Sequence, residues 1–251
     1  MNRIGNAIDQ AIELISQSSR IVAFSGAGIS TEAGIPDFRS KGGLWEDAKL
    51  MELMSASGFR HNPAGFYRAS MQLMPNLHHA QPTKAHKLLA LLEAQGRLSA
   101  IITQNIDGLH QAAGSQVVHE IHGSFRTGRC IVCEAGFAMS EFYQQLETGE
   151  IDLPRCRDCQ APIKPDVILF GDLLPIEVWN HSVTAAEQCD LMLVLGSSLV
   201  VYPAAELPRM ALAGGAKLVI VNREETDYDH LADVVARLEL GVFAQEVFAK
   251  M

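Results

Sequence analysis

Short apolar runs recur along this chain, each opening at once onto glycine or polar residues, and that recurrence constrains the fold more than any other feature. Residues 21–24 (IVAF) lead into Ser25-Gly26-Ala27-Gly28, and residues 100–103 (AIIT) lead into Gln104-Asn105. Leu191–Leu195 precedes Gly196-Ser197-Ser198, Lys217–Val221 precedes Asn222, and a weaker pair, Val117-Val118, runs into residues 119–122. Runs this short, separated by stretches of helical period, predict strands covered on both faces and joined by helical crossovers. The expected fold is α/β, a Rossmann-like doubly wound parallel sheet. In such sheets ligands bind beyond the carboxyl ends of the strands, which is where these polar clusters fall.

Two stretches break the alternation. Residues 40–83 read as short helices interrupted at Gly58 and Pro63, and residues 123–165 carry four of the five cysteines. The expected organisation is a discontinuous Rossmann-like domain (1–39, 84–122 and 166–251), a helical insert (40–83) and a small cysteine-bearing, zinc-binding module (123–165). Met51, Met54, Met71 and Met74 read as core packing, the usual use of methionine.

Cys130-x-x-Cys133 and Cys156-x-x-Cys159 have the spacing of two knuckles that complete a tetrahedral four-thiolate zinc site. Four protein ligands leave no open position, so the expected zinc is structural. A nucleic-acid-binding ribbon is the alternative. It is disfavoured by 20 basic against 29 acidic residues, a net charge of −9, which is poorly suited to neutralising phosphates. Cys189, beside an apolar run, reads as a small buried hydrophobe. The N-terminal stretch has apolar residues at helical spacing (Ile4, Ala7, Ile8, Ala11, Ile12, Ile15), without the continuous apolar centre of a signal peptide. With no run long enough for a membrane span, a cytoplasmic protein is expected, in a compartment where thiols stay reduced.

The glycine loop poses a specific question. Gly26-Ala27-Gly28 starts like a dinucleotide-binding loop, yet Thr31 stands where a dehydrogenase places its third glycine, and Pro36 stops any helix soon after. Taken alone, the glycines are explained equally well by a tight turn. The further polar clusters at strand ends tip the balance, because amides, hydroxyls and a carboxylate converge there with His122-Gly123.

The stretches GAGISTEAGIPDFRS, TQNIDGLH, EIHGS, KPDVILFGDLLP, GSSLVVYPA and VNREET, together with the two cysteine pairs, occur in the order found in the sirtuin family. The chain resembles that family over nearly its whole length. The resemblance implies an NAD-dependent protein-lysine deacetylase that transfers the acetyl group to ADP-ribose and releases nicotinamide. It implies NAD as co-substrate beside the structural zinc, acetylated lysine in proteins or peptides as partner, and no direct role for nucleic acid or membrane. Ala27, Thr31, Phe38 and Arg39 would contact NAD from the first loop. Gln104 would hold the nicotinamide ribose, while Asn105, Ile106 and Asp107 would form the nicotinamide pocket with Ile35. Ser197, Ser198 and Asn222 would hold the phosphate and adenosine half. Val167, Phe170 and Gly171 would line the acyl-lysine tunnel, with the peptide pairing as a strand beside residues 167–173. His122 would be the general base, and with Asn105 makes the expected catalytic pair.

Family members that take succinyl-lysine pair a tyrosine with an arginine three positions on, both facing the acyl pocket; Tyr67 fits the tyrosine, but three positions on stands Ser70. That pattern predicts acetyl or longer apolar acyl groups. Two other activities remain open at this point: NAD-dependent ADP-ribosyl transfer to protein, and non-catalytic NAD sensing.

Overall fold

The computed structural model describes residues 3–37, 48–72 and 74–250. Phe38 and Arg39 therefore lie outside the described residues. Within them run nine strands: β1 (Ile21–Ser25), β2 (Leu98–Thr103), β3 (Val118–Glu120), β4 (Gly123–Cys130), β5 (Gly136–Ala138), β6 (Ile163–Val167), β7 (Leu191–Leu195), β8 (Lys217–Val221) and β9 (Val234–Ala236).

Six of these form one sheet in the order β3-β2-β1-β7-β8-β9, and every pairing in it is parallel. Side chains alternate across it with the two-residue period of a strand. Ile21, Ala23, Leu191, Leu193, Leu195, Val219 and Val221 pack on one face, against Ile15, Leu88, Leu89, Leu92, Phe243 and Val247 of the helices Arg3–Gln17, Lys84–Ala94 and Leu240–Lys250. Val22, Phe24, Met192, Val194, Leu218 and Ile220 pack on the other face, against the helices Ile176–Gln188 and Leu207–Ala213. Burial on both faces is why β1 and β7 carry no polar residue until Ser25. Each fully buried aliphatic side chain is worth about 1.5–3 kcal/mol. The doubly wound α/β reading of the sequence is thus borne out. Only β9, three residues long, had no signal strong enough to anticipate it.

A second sheet, order β5-β4-β6, is antiparallel. β6 runs two residues past the expected module boundary at 165. Its core is not private. Phe125, Phe142, Leu146, Ile163 and Val167 are buried in one cluster with Ala56, Phe59, Phe66 and Tyr67 of the helical insert, so two segments read as separate inserts share one apolar interior. Phe59, Phe66 and Tyr67 meet edge to face at centroid distances of 5.1 to 6.3 Å.

Two local expectations are corrected. Gly58 does not interrupt a helix: Ala56–His61 runs through it, and its N–H is capped by Ser55 Oγ at 2.9 Å. Pro63, by contrast, opens the next helix at its first turn, where its missing N–H costs nothing. Of the four methionines read as core, Met74 is buried but Met51 is exposed, and Met54 lines the cavity described below.

Candidate active site

β1, β2 and β3 step one way across the sheet while β7, β8 and β9 step the other, so the topological switch lies between β1 and β7. Their carboxyl ends are followed by Gly26 and Gly196, and the two glycine turns touch. Gly28 N–H donates to Gly196 O at 2.9 Å. A Cβ on Gly28 would sit 2.8 Å from Gly196 Cα, and one on Gly196, whose φ is +65°, would sit 2.6 Å from the Gly28 carbonyl carbon. No side chain fits between them. The result is a floor of bare backbone under a cavity of about 890 Å³, a size that suits a dinucleotide-scale ligand. Instead of a crossover helix, the loop after β1 makes two 3₁₀ turns, Ala27–Ile29 and Thr31–Ala33, the second ended by Gly34 in the left-handed region just ahead of Pro36.

The cavity gathers most of the residues singled out from sequence. Ala27, Thr31 and Ile35 come from the first loop and Gln104, Asn105, Ile106 and Asp107 from the end of β2; His122 stands between β3 and β4. Ser197 and Ser198 follow β7, Asn222 follows β8, and Val167, Phe170 and Gly171 come from the end of β6 and the turn beyond it.

Hydrogen bonds fix this set. Gln104 reaches across the cleft, its Nε2 donating to Ser197 Oγ at 2.8 Å. Asn105 Nδ2 donates to Gly26 O at 3.1 Å and to Ser30 Oγ at 3.2 Å. Both of its amide hydrogens therefore clasp the first loop, and its Oδ1 is the group left to face a ligand. Asp107 accepts the Ser30 hydroxyl at 2.7 Å on one oxygen and Leu109 N–H at 2.9 Å on the other. Ser30 is the residue that sequence reading passed over: buried and central to this network, it offered no signal beyond its place in the loop.

His122 is held by its Nδ1, which lies 3.1 Å from the Gln104 carbonyl oxygen. A carbonyl can only accept, so Nδ1 carries the proton and Nε2 presents a lone pair. Burial pulls its pKa below the usual histidine value, against the opposing effect of that carbonyl. The ring is consequently neutral near pH 7. Gly123 must follow it, because a Cβ there would lie 1.8 Å from the Asp166 carbonyl oxygen of the neighbouring strand.

The side of the cavity toward the small sheet is apolar, with Met54, Leu77, Ile106, Phe125 and Val167. Tyr67 is not among the lining residues. It is only 2% exposed, and its hydroxyl donates to Ile163 O at 2.6 Å. The expectation that Tyr67 faces the acyl pocket is therefore corrected: it joins the helical insert to β6. Arg223 is the only lysine or arginine among the described lining residues, and it stands on the β8 side, 3.9 Å from Asp37. Phe170, Ile176, Tyr202 and, at 91% exposure, Leu173 give the mouth an apolar rim. Leu238, Glu239 and Leu240 close the far end, where Glu32 accepts Gly241 N–H at 2.7 Å.

Away from the cleft, the sulfurs of Cys130, Cys133, Cys156 and Cys159 lie within 4.8 Å of one another. Neighbouring pairs are 3.3, 3.5 and 3.6 Å apart, close to the edge of a tetrahedron with metal–sulfur bonds of about 2.3 Å. Val132 and Cys133 N–H groups point at Cys130 Sγ, as they would toward a thiolate. The four cysteines are positioned to bind a metal, and the all-sulfur donor set fits zinc. Cys189 is buried next to β7, apart from this cluster.

Comparison with known proteins matches this arrangement along the chain. The Sir2 family profile covers residues 26–203. An NAD-dependent protein deacylase 2 from Archaeoglobus fulgidus is 47% identical over 228 residues, spanning 90% of this chain and 89% of its own. A solved Sir2–p53 peptide–NAD+ complex superposes with a TM-score of 0.89 at 39% identity, covering 97% of this chain and 98% of the other. A Sir2 structure bound to a propionylated peptide gives 0.88 at 39% identity, with 97% and 98% covered. By this match, together with a glycine-floored cleft at the switch point and a separate four-cysteine cluster, the chain belongs to the Sir2 family.

Proposed function

We propose that this protein is an NAD-dependent protein-lysine deacylase, moving the acyl group from lysine to the ADP-ribose part of its co-substrate as nicotinamide leaves. One observation carries the reading: His122, fixed by the Gln104 carbonyl with its Nε2 bare, opens into the same cavity as Asn105, Ile106 and Asp107. A neutral imidazole held this way takes a proton from a ribose hydroxyl at Nε2, the general-base step that lets the hydroxyl attack the acyl carbon. Asn105 and Asp107, locked by Ser30, hold the nicotinamide end. Ile35 and Ile106 keep water from the departing ring. Ala27, Thr31, Ser197, Ser198 and Asn222 sit around the backbone floor, where the N–H groups of turns favour phosphate; Phe38 and Arg39 complete that loop in the resemblance. NAD supplies the activated ribose carbon to which the acyl oxygen bonds.

The substrate is read as acylated lysine in a protein or peptide, entering past Val167, Phe170 and Gly171. Two backbone groups there are already used inside the chain, Ile168 N–H by His122 O and Phe170 O by Ala56 N–H. A peptide strand would pair with what these leave. Zinc, held by the four cysteines, takes no part in the chemistry, because four thiolates close its coordination. We read the protein as cytoplasmic, without direct contact to nucleic acid or membrane; no helix among the described residues is long and apolar enough to cross a membrane.

The test is nicotinamide release from NAD with and without an acetyl-lysine peptide, together with detection of acetyl-ADP-ribose. Release that depends on the acetyl group and yields acetyl-ADP-ribose is expected. Release into ADP-ribosylated protein without acetyl dependence would assign ADP-ribosyl transfer instead, and no release would leave an NAD-binding module.

A further inference from the structure

Behind residues 105–107, away from the cleft, two imidazoles are buried against each other. His86 is 0% and His110 1% exposed, and their ring centroids are 4.7 Å apart at an interplanar angle of 57°. His86 lies in the first turn of the helix Lys84–Ala94, where its Nδ1 accepts Thr83 N–H at 3.2 Å in a capping box. Thr83 Oγ1 also lies 2.8 Å from this nitrogen, and with two donors aimed at it Nδ1 is the acceptor, so Nε2 carries the hydrogen. His110 Nε2 is 2.8 Å from Ser25 Oγ, and the Ser25 hydroxyl donates to Thr103 Oγ1 at 2.9 Å. Ser25 can then only accept from His110, so His110 also carries its hydrogen on Nε2 and its Nδ1 is bare.

Among the described residues each ring has one nitrogen without a hydrogen-bond partner, and these are His86 Nε2 and His110 Nδ1. One is a donor and the other an acceptor. Leaving both unmet inside the fold is costly, and the adjoining ring offers each the complementary group. We propose that His86 and His110 form a neutral, tautomer-locked pair, Nε2–H of His86 to Nδ1 of His110, that positions residues 105–107 at the cleft.

The path to the cleft is continuous. Thr103 Oγ1, at the end of β2, accepts Asn105 N–H at 3.0 Å, which orients the turn whose Asn105 and Asp107 side chains clasp Ser30. At the other end the Thr83 hydroxyl shares its one hydrogen between His86 Nδ1 at 2.8 Å and Ile29 O at 3.1 Å, the latter inside the first loop. The pair thus braces both walls of the nicotinamide end from behind without touching a ligand. Asp107 is the charged group acting on His86, and it opposes the lowering of the His86 pKa by burial; burial, then His86 itself, lowers that of His110. Both rings stay uncharged at neutral pH, as the pairing requires.

The functional arm of the test rests on the deacylase reading, and the spectroscopic arm does not. In full-length, zinc-loaded protein with ¹⁵N-labelled histidine, the two buried imidazoles should both show the Nε2–H neutral pattern at pH 7, with a slowly exchanging Nε2 proton on His86 correlated to His110 Nδ1. His110→Gln keeps an amide donor for Ser25 and severs the link to His86. It should remove that correlation and raise KM for NAD and the inhibition constant for nicotinamide by roughly 2- to 12-fold, the equivalent of one net hydrogen bond, with KM for peptide unchanged. Either ring charged or carrying an Nδ1 proton at pH 7 overturns the pair. A His110→Gln variant that weakens NAD and peptide equally, or neither, overturns the positioning role. If the wild-type protein shows no deacylation, the function proposed above fails while the spectra still decide the pairing.

Discussion

Gln104 holds His122 through its backbone and Ser197 through its side chain: its carbonyl oxygen lies 3.1 Å from His122 Nδ1, and its Nε2 lies 2.8 Å from Ser197 Oγ. A single residue at the end of β2 thereby sets the proposed base and the β7 turn in one frame. Among the described residues the base has no carboxylate partner. Its orientation comes from a neutral carbonyl, which leaves its basicity to burial.

On the proposed function, His122→Ala should lower deacetylation by about 10²–10⁴-fold, the usual worth of a general base. It should still exchange labelled nicotinamide into NAD in the presence of acetylated peptide, because the base acts after nicotinamide leaves. Asp107→Asn should impair both rates. The Ser30 hydroxyl and Leu109 N–H both donate to that carboxylate, and an amide offers an acceptor to only one of them. Paired measurements of exchange and acetyl-ADP-ribose formation check this; near wild-type deacetylation by His122→Ala would remove it from the role of base.

The pH profile follows from the direction of the His122 shift. Burial lowers its pKa below the ordinary value of about 6.5, so the neutral form persists to a lower pH. Deacetylation should rise with pH through a midpoint below about 6.5 and be flat above it. A midpoint at or above 7 in kcat/KM would contradict the assignment.

Stability should carry a separate histidine signature. The folded pKa of His86 is lowered to about 4 and that of His110 is also lowered, by burial in both cases. Unfolded histidine titrates near 6.5, so between about pH 6.5 and 4 the unfolded state binds more protons than the folded one. Stability is therefore full above that window and falls as pH drops through it. Urea midpoints across this range should decline for the wild type, and less steeply for a His86→Gln, His110→Gln double variant.

The acyl preference now stands on the cavity itself. With an apolar wall of Met54, Leu77, Ile106, Phe125 and Val167, and Arg223 on the β8 side beside Asp37, an acyl carboxylate would be buried without a described cation to meet it, which is costly. Catalytic efficiency should favour acetyl-lysine, or a longer apolar acyl-lysine, over succinyl-lysine. Tyr67→Phe should leave that ratio unchanged. It should instead cost about 1–3 kcal/mol of stability by stranding the Ile163 carbonyl, measured by denaturant unfolding.

Metal removal tests the sulfur cluster. About one zinc per chain is expected, held by Cys130, Cys133, Cys156 and Cys159. Because thiolate ligation couples metal affinity to folding, Cys156→Ser should lower both zinc content and melting temperature. Elemental analysis of protein purified without chelator decides it.

Several features were legible in the sequence because they are local. An apolar run ending in a glycine or an amide places a strand and its ligand-facing end without reference to the rest of the chain, as at Phe24-Ser25-Gly26 and Thr103-Gln104-Asn105. Two Cys-x-x-Cys pairs define a donor set by spacing alone. Tyr67 could not be placed in that way, because its direction depends on an interior shared by segments roughly a hundred residues apart. The His86–His110 pair depends on register. β1 and β2 slip by one residue between Ile21 and Val22, pairing Ile21 with Leu98 but Val22 with Ala100. Ser99 is the residue left over, and the slip carries Ser25 opposite Thr103. A strand's side chains alternate with period two, so one extra residue changes which of them meet. Without it Ser25 would face Ile102, and the hydroxyl chain from the buried histidines to Asn105 would not close. Composition and motif establish the chemistry available at each strand end; strand register, a long-range property of the folded sheet, decides which of those groups touch.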